Sequence, residues 1–509
     1  SPTRKKKNTA TTIWQQRQTT AATAHSHKNR KENSASQFPS SSFSFFSVDL
    51  RGVHPTEVEL QAIEDDPRTY ELFVDRYLDD PRFIDRMEEI FNYSFLTRTG
   101  ETFFDPGEAG LDFLGDERVA DSIGDEPLKL VAHVIDNDLP WGEVVTADYT
   151  LANPVVATMW DIPYPDDAEG WVKTQYDDGR PAVGVLSSTT LWTRYPSAGV
   201  NGNRHRANMV SRIFLCDNYL SRPVSFGRSQ VDALTTGDPN EVIASNDVCQ
   251  SCHSTLDPLA SHFFGFWWEI EGDLAETLYR PEDEELWRYQ YDKSPAYYGV
   301  ASTGLAELGH NLAEDPRYYD CAVQTVFDGL TQRSVDDADW EELWTHRGAF
   351  EDSGYVIRDL VRSVVLSPEY KAERVIDEHK LERVETLKMV TPGQLESIIE
   401  AKTGYKWTRG GRDALSRNVD GLAVLSGGID GQLQALQGKL ITYGFVATNW
   451  KEIAAEPAVE ASAGRYLDAR ILGAPAYLAP SARDRIVLYF TVGAVRIFFV
   501  LHPFVSSDW

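Results

Sequence analysis

The apolar positions of this chain recur mostly at helical spacing. Over 70–93, Leu72, Phe73, Tyr77, Leu78, Phe83, Met87, Ile90 and Phe91 form such a pattern, punctuated by Asp80-Pro81. His54-Pro55-Thr56-Glu57 opens a further periodic stretch with Pro near its first turn. Shorter helical patterns cover 128–135 and 144–151. The spacing predicts a helix over 204–220, with Val210, Ile213 and Phe214 on one side, and others over 301–313, 317–330 and 355–365. Thr391-Pro392-Gly393-Gln394 reads as a capping box with Pro at the first helical position, and Gly404 as the stop.

The remaining segments break that rhythm. Residues 163–181 are rich in Asp, Pro and Gly and read as a loop, 186–193 as a short strand or extended connection, and 221–246 as a mixed connection. No regular βα alternation and no solenoid repeat appears. The fold class expected is mostly α: a multidomain helical protein with few short strands. The segments expected are a basic tail over 1–48, an N-terminal helical domain over 49–190, and a domain over 191–295 holding the motif described below. A further helical domain follows over 296–375, and then a linker, a helix and an unassigned region over 376–509.

Near the end, 486–501 is sixteen residues broken only by Arg496. A membrane-spanning helix needs about 20 apolar residues, and this segment is β-branched and aromatic, so it reads as two buried strands. There is no strong membrane signal.

Charge divides the chain in two. It holds 78 acidic and 49 basic residues, a net charge of −29. Residues 1–40 hold eight Lys or Arg and only Glu32 as an acid, leaving +7 there and −36 in the rest. The basic stretch lacks apolar periodicity and reads as disordered. So acidic a body argues against nucleic acid as the main partner. The chain begins with Ser, which reads as a processed or partial chain, and no apolar run of a secretory leader follows Lys5-Lys6-Lys7.

Only four cysteines are present, too few for a disulfide scaffold, and two of them lie in Cys249-Gln250-Ser251-Cys252-His253. This CxxCH pattern is the attachment signature of c-type haem. Positions three apart share a helix face, so both thiols can reach the vinyl groups of one porphyrin edge. The adjacent His253 then serves as the proximal iron ligand. Cofactor-binding candidates are therefore Cys249, Cys252 and His253, with one covalent haem c per chain. A structural zinc site is the main rival, in which Cys216 and Cys321 complete four thiolates. A redox dithiol is another, although it lacks a βαβ context.

Cys249-Gln250-Ser251-Cys252-His253-Ser254-Thr255-Leu256-Asp257-Pro258-Leu259 resembles the CxxCH…DPL signature of planctomycete-type cytochrome c proteins, large secreted bacterial proteins of consecutive helical domains. Other stretches are similar to the same family. They include Arg51-Gly52-Val53-His54-Pro55-Thr56, Val74-Asp75-Arg76-Tyr77-Leu78, 145–150 ahead of Asn153-Pro154, and 204–216. Leu305 to Leu330 and Ser353 to Pro368 match the domain after the haem motif. The resemblance spans roughly 48–430, about three-quarters of the chain. It implies a periplasmic or extracellular protein with one covalent haem, without an established reaction. The role expected is electron transfer with a redox partner protein or a small electron donor or acceptor. A peroxidase-like enzyme with an open sixth site is the alternative.

The sixth iron ligand is open. Met209 and His205 lie four apart on one helix face, His310 lies in a later helix, and His262 follows the motif closely. Phe263, Phe264, Phe266, Trp267 and Trp268 form the densest aromatic run. Phe263 and Trp267 would wall a porphyrin or simply pack the core. Asp257-Pro258 reads as a turn that ends the motif helix. Cys216 and Cys321 are either a disulfide or two buried thiols. Acidic clusters at Asp166-Asp167, Asp177-Asp178 and 282–285 lack EF-hand spacing and read as solvated surface.

Overall fold

A computed structural model describes residues 40–426, residue 428, and the strand pair 486–492 and 495–501. Within 40–426 it omits 101, 103, 198–200, 223–238, 267–273, 275–277, 333–334, 336–338 and 372–389. Most of the tail expected as disordered, 1–39, lies outside the described residues, as does Trp267.

The described chain is mostly helical. It opens with α1 (Ser40–Arg51), α2 (Glu57–Asp65), α3 (Thr69–Leu78), α4 (Pro81–Phe95), α5 (Asp116–Asp136) and α6 (Glu143–Thr146). Next come α7 (Pro154–Trp160), α8 (Thr189–Arg194), α9 (Arg204–Leu215), α10 (Pro239–Ser245), α11 (Asp247–Ala260) and α12 (Trp287–Gln290). The later helices are α13 (Leu305–Glu314), α14 (Pro316–Thr331), α15 (Trp340–Asp352), α16 (Ile357–Leu366), α17 (Pro392–Thr403) and α18 (Leu422–Leu425). Strands occur in antiparallel pairs: β1 (Thr150–Ala152) with β2 (Val172–Thr174), β3 (Ala296–Tyr297) with β4 (Val300–Ala301), and β5 (Thr408–Arg409) with β6 (Arg412–Asp413). The last pair is β7 (Ile486–Val492) with β8 (Val495–Leu501), in register from Ile486–Leu501 to Val492–Val495.

Short polar signals start the helices where the sequence places them. Thr56 accepts the Glu59 amide while the Glu59 side chain accepts the Thr56 amide, closing a capping box on α2. Asp80 caps α4 with Pro81 at its first position, and Asp315 and Pro316 do the same for α14. The box at Thr391–Gln394 opens α17, and Gly404, at φ +73°, ends it in the left-handed region.

Other elements differ from the sequence reading. The tail was expected to run to residue 48, yet α1 begins at Ser40 and buries Phe46 and Leu50 completely. Helix α5 begins twelve positions ahead of Leu128 and continues through Pro127, because its apolar face is buried along its length. Residues 186–193 are not a strand: Gly184–Ser187 is a 3-10 turn and α8 follows. α8 is only six residues long, under two turns, too short for a helical period to show, and its Thr and Arg side chains are buried with the apolar ones. The helix expected over 204–220 stops at Leu215, where Cys216 takes φ +53° and turns the chain away.

Helix α14 sits at the centre, packed by α4, α9, α15 and α16. One continuous core takes in Tyr77 and Met87, Trp192 and Met209, and Phe327, Leu360 and Val364. α9 also packs against α11, so it joins the CxxCH helix to the central helix. Arg206 ties α9 to α8 and to the segment that follows α11. Its buried guanidinium donates to the carbonyls of Tyr195 (3.1 Å), Phe266 (3.0 Å) and Trp192 (3.3 Å) and to Asn203 Oδ1 (2.9 Å). Burial pushes its pKa down to about 9.

The segment after residue 390 returns to the N-terminal half. Gln394 donates to the Val48 carbonyl at 3.1 Å, and Arg417 pairs with Asp125 at 2.7 Å. Among the described residues, no helix is long and apolar enough to cross a membrane.

Candidate functional site

The CxxCH motif occupies the first two turns of α11. Asn246 precedes the helix, and its Oδ1 accepts the amides of Val248 (2.9 Å) and Cys249 (3.3 Å). That cap places Cys249 and Cys252 one turn apart on a regular helix. Cys249 is buried and Cys252 half-buried, and neither is in a disulfide.

The expected end of this helix at Asp257-Pro258 is not observed. α11 runs on to Ala260 with Pro258 inside it. Proline removes one backbone donor and crowds the preceding turn. Here it lies near the helix end, where Leu256, Leu259 and Ala260 bury the apolar face. Continuity has a direct consequence, since Asp257 now falls one helical turn after His253 and on the same side.

His253 Nδ1 is 2.8 Å from Asp257 Oδ1. Arg204, at the start of α9, forks onto that carboxylate: Nε donates to Oδ1 at 2.7 Å and an η-nitrogen donates to Oδ2 at 3.1 Å. Burial alone would raise the Asp257 pKa, but hydrogen bonds from His253 and Arg204 and the charge of Arg204 hold it below the usual carboxylate range. An ionised carboxylate only accepts, so Nδ1 is the ring nitrogen that donates here, and the tautomer this contact selects presents a lone pair at Nε2. One-fifth of the His253 side chain is exposed.

Supporting contacts hold α11 in place. Tyr219 and Thr255 share a hydroxyl hydrogen bond of 2.8 Å, and Arg222 lies 3.9 Å above the Tyr219 ring while pairing with Asp217. Ser261, just past α11, donates to the Lys293 carbonyl at 2.6 Å.

The other two cysteines are joined to each other, Cys216 with Cys321. The four-thiolate zinc set therefore does not form. Among the described residues no group of three or more His, Cys, Asp or Glu is placed to hold a metal ion. The donor set at α11 suits covalent haem instead: two free thiols three residues apart, followed by an imidazole whose second nitrogen is tied to a carboxylate. Cys249 and Cys252 would hold the porphyrin and His253 the iron.

The candidates for the opposite ligand have varied surroundings. Met209 is buried in the core that also takes Leu256 and Phe263. His205 Nδ1 is 3.1 Å from the Pro196 carbonyl, and its ring meets Tyr195 edge-on. His310 is exposed on α13. His262 is engaged at both ring nitrogens, Nδ1 with the Leu259 carbonyl at 2.9 Å and Nε2 with the Ser302 hydroxyl. Phe263 is buried with its ring 4.7 Å from that of Trp192, and Phe266 flanks the same indole.

Two residues of the site escaped the sequence reading. Asp257 carried a visible signal, its i+4 spacing from His253, which the following proline obscured. Arg204 carried none, because its partner lies 53 positions away.

No family model, curated protein or solved structure matches this chain.

Proposed function

We propose that this protein is a c-type cytochrome that carries one haem on Cys249 and Cys252, with His253 as the proximal ligand, and transfers electrons outside the cytoplasm. The observation that carries the reading is the pairing of two free thiols on one helix with an imidazole held through Nδ1, which leaves Nε2 as its donor atom. Cys249 and Cys252 would each hold the group through a thioether, S–H adding across one vinyl double bond with sulfur on one carbon and hydrogen on the other. Haem, when bound, supplies an iron centre that exchanges single electrons. The chain's own contribution would be to anchor that group at two points and to orient its proximal ligand on a helix braced by α9.

Two further observations support the setting. The Cys216–Cys321 disulfide fits an oxidising compartment, where such bonds persist. The acidic charge of −29 suits basic or neutral redox partners and disfavours nucleic acid. A carboxylate on the proximal histidine also makes the imidazole a stronger donor, which favours a peroxidase-like enzyme as the second reading.

The test is expression in a host with cytochrome c maturation machinery. A pyridine haemochrome spectrum of the thioether type, and haem stain that survives a denaturing gel, are expected. Cys249→Ala with Cys252→Ala should remove the stain. An unstained protein beside a correctly matured control cytochrome overturns the reading. Rapid carbon monoxide or cyanide binding favours the enzyme over the carrier.

A further inference from the structure

We infer that Arg204 and Asp257 form a positioning pair that fixes the tautomer and ring orientation of His253 and tunes how strongly its Nε2 donates to the iron. This rests on the cytochrome reading above. Neither residue touches the cofactor in this scheme; both act through His253.

The geometry supplies each link. Asp257 is 3% exposed and Arg204 8%, so the pair is shielded from water and its charges are weakly screened. Asp257 Oδ1 is shared between His253 Nδ1 at 2.8 Å and Arg204 Nε at 2.7 Å. The guanidinium cannot rotate freely, because Tyr291 lies beneath it, 5.0 Å from ring centroid to carbon, and the Tyr291 hydroxyl is anchored to the Gly202 carbonyl at 3.0 Å. The carboxylate is therefore held from α9 while it holds the ring on α11.

The two residues pull in opposite directions. A carboxylate accepting the Nδ1 proton draws that proton away from the ring, enriches Nε2 and favours the oxidised iron. A guanidinium on the same oxygen withdraws part of the carboxylate's charge and moderates the effect. Removing the negative charge should raise the reduction potential, and removing the positive charge should lower it. Their bare charges would give the same opposition through space, so the tautomer of His253 is the readout that a pair serving only to hold α9 against α11 would not set.

The test uses the full chain in two forms. In the haem-loaded protein, Asp257→Asn is expected to shift the potential upward and Arg204→Met downward, with haem stain retained in both. Arg204→Lys keeps the charge without the fork and should lie between Arg204→Met and the parent, which covers the case in which Arg204→Met does not accumulate. Potentials that stay put, or that move in one direction for both charge removals, overturn the inference. In the haem-free full chain labelled with ¹⁵N-histidine, the His253 signal above neutral pH should report the Nδ1–H tautomer, and Asp257→Ala should shift it toward Nε2–H. An Nε2–H tautomer in the parent chain also overturns it. Because this second measurement needs no haem, a chain that takes up none sinks the cytochrome reading while the positioning pair is still judged.

Discussion

Cys216 is bonded to Cys321 across 105 positions, fastening the end of α9 to the central helix α14. The left-handed turn at Cys216 makes the approach possible, since it redirects the chain as soon as α9 ends. Cys321 is buried on α14, and its sulfur lies 3.5 Å from the Ile213 carbonyl of α9. The bond separates the four cysteines into a structural pair and a chemically available pair.

Cutting this bond should lower stability without affecting the motif. A loop of that length restricts the unfolded chain, so reduction, or Cys216→Ser with Cys321→Ser, is expected to cost about 2–4 kcal/mol. Urea unfolding with and without reductant reads the loss. Identical midpoints would show that the bond adds nothing. Haem stain should persist in the double variant.

Asp125 should be the strongest electrostatic anchor of the returning C-terminal segment. Burial opposes its ionisation, but Arg98 and Arg417 hold its pKa far below the usual carboxylate range. Arg98 Nε donates to it at 2.7 Å, and Arg417 makes two bonds of 2.8 and 2.7 Å. Asp125→Ala leaves both guanidinium groups without this partner and is expected to cost about 3–5 kcal/mol. Arg417→Ala should speed protease cleavage between 404 and 417. Cleavage at the parent's rate would contradict this anchor.

Glu126, the next residue, is a hub for hydroxyl groups. Its Oε1 accepts from Thr150 at 3.1 Å and Tyr176 at 2.6 Å, and its Oε2 from Ser188 and Thr190, both at 2.9 Å. Glu126→Leu leaves four hydroxyls, those of Thr150, Ser188 and Thr190 buried and that of Tyr176 partly so, without this acceptor and should cost about 4 kcal/mol or more, at 1–3 kcal/mol for each group left unsatisfied. Glu126→Gln keeps acceptor capacity and should lose markedly less. Thermal unfolding of the two variants distinguishes them, and equal melting temperatures would refute the hub.

His262 should make stability fall in mild acid. Burial pushes its pKa down to about 4 from an ordinary value of 6.5. Between those values the unfolded chain takes up a proton here that the folded chain refuses, so stability declines as pH falls from 6.5 to about 4 and this component is then fully lost. The shift corresponds to about 3 kcal/mol at most. Unfolding free energies measured from pH 7 to pH 4 should give a flatter curve for His262→Gln than for the parent, whereas parallel curves would exclude the effect.

The sequence by itself determined the helical class, the helix openings at Thr56 and Thr391, the break at Asp80-Pro81, the stop at Gly404 and a strand pair within 486–501. These features are local: a cap or a stop acts within about one helical turn. Helix α8 was not legible, because six residues make fewer than two turns and its polar side chains are buried rather than turned to solvent. Helix α1 was read as tail because Ser-rich sequence promises little burial, yet Phe46 and Leu50 find the core. Tertiary structure alone decided that Cys216 meets Cys321 and that Arg204 reaches Asp257. It also carried α11 through Pro258, which set Asp257 against His253. The first two depend on partners distant in sequence, which become neighbours only when α9 packs against both α11 and α14, and the third on burial of the apolar face of α11, which carries the helix through Pro258.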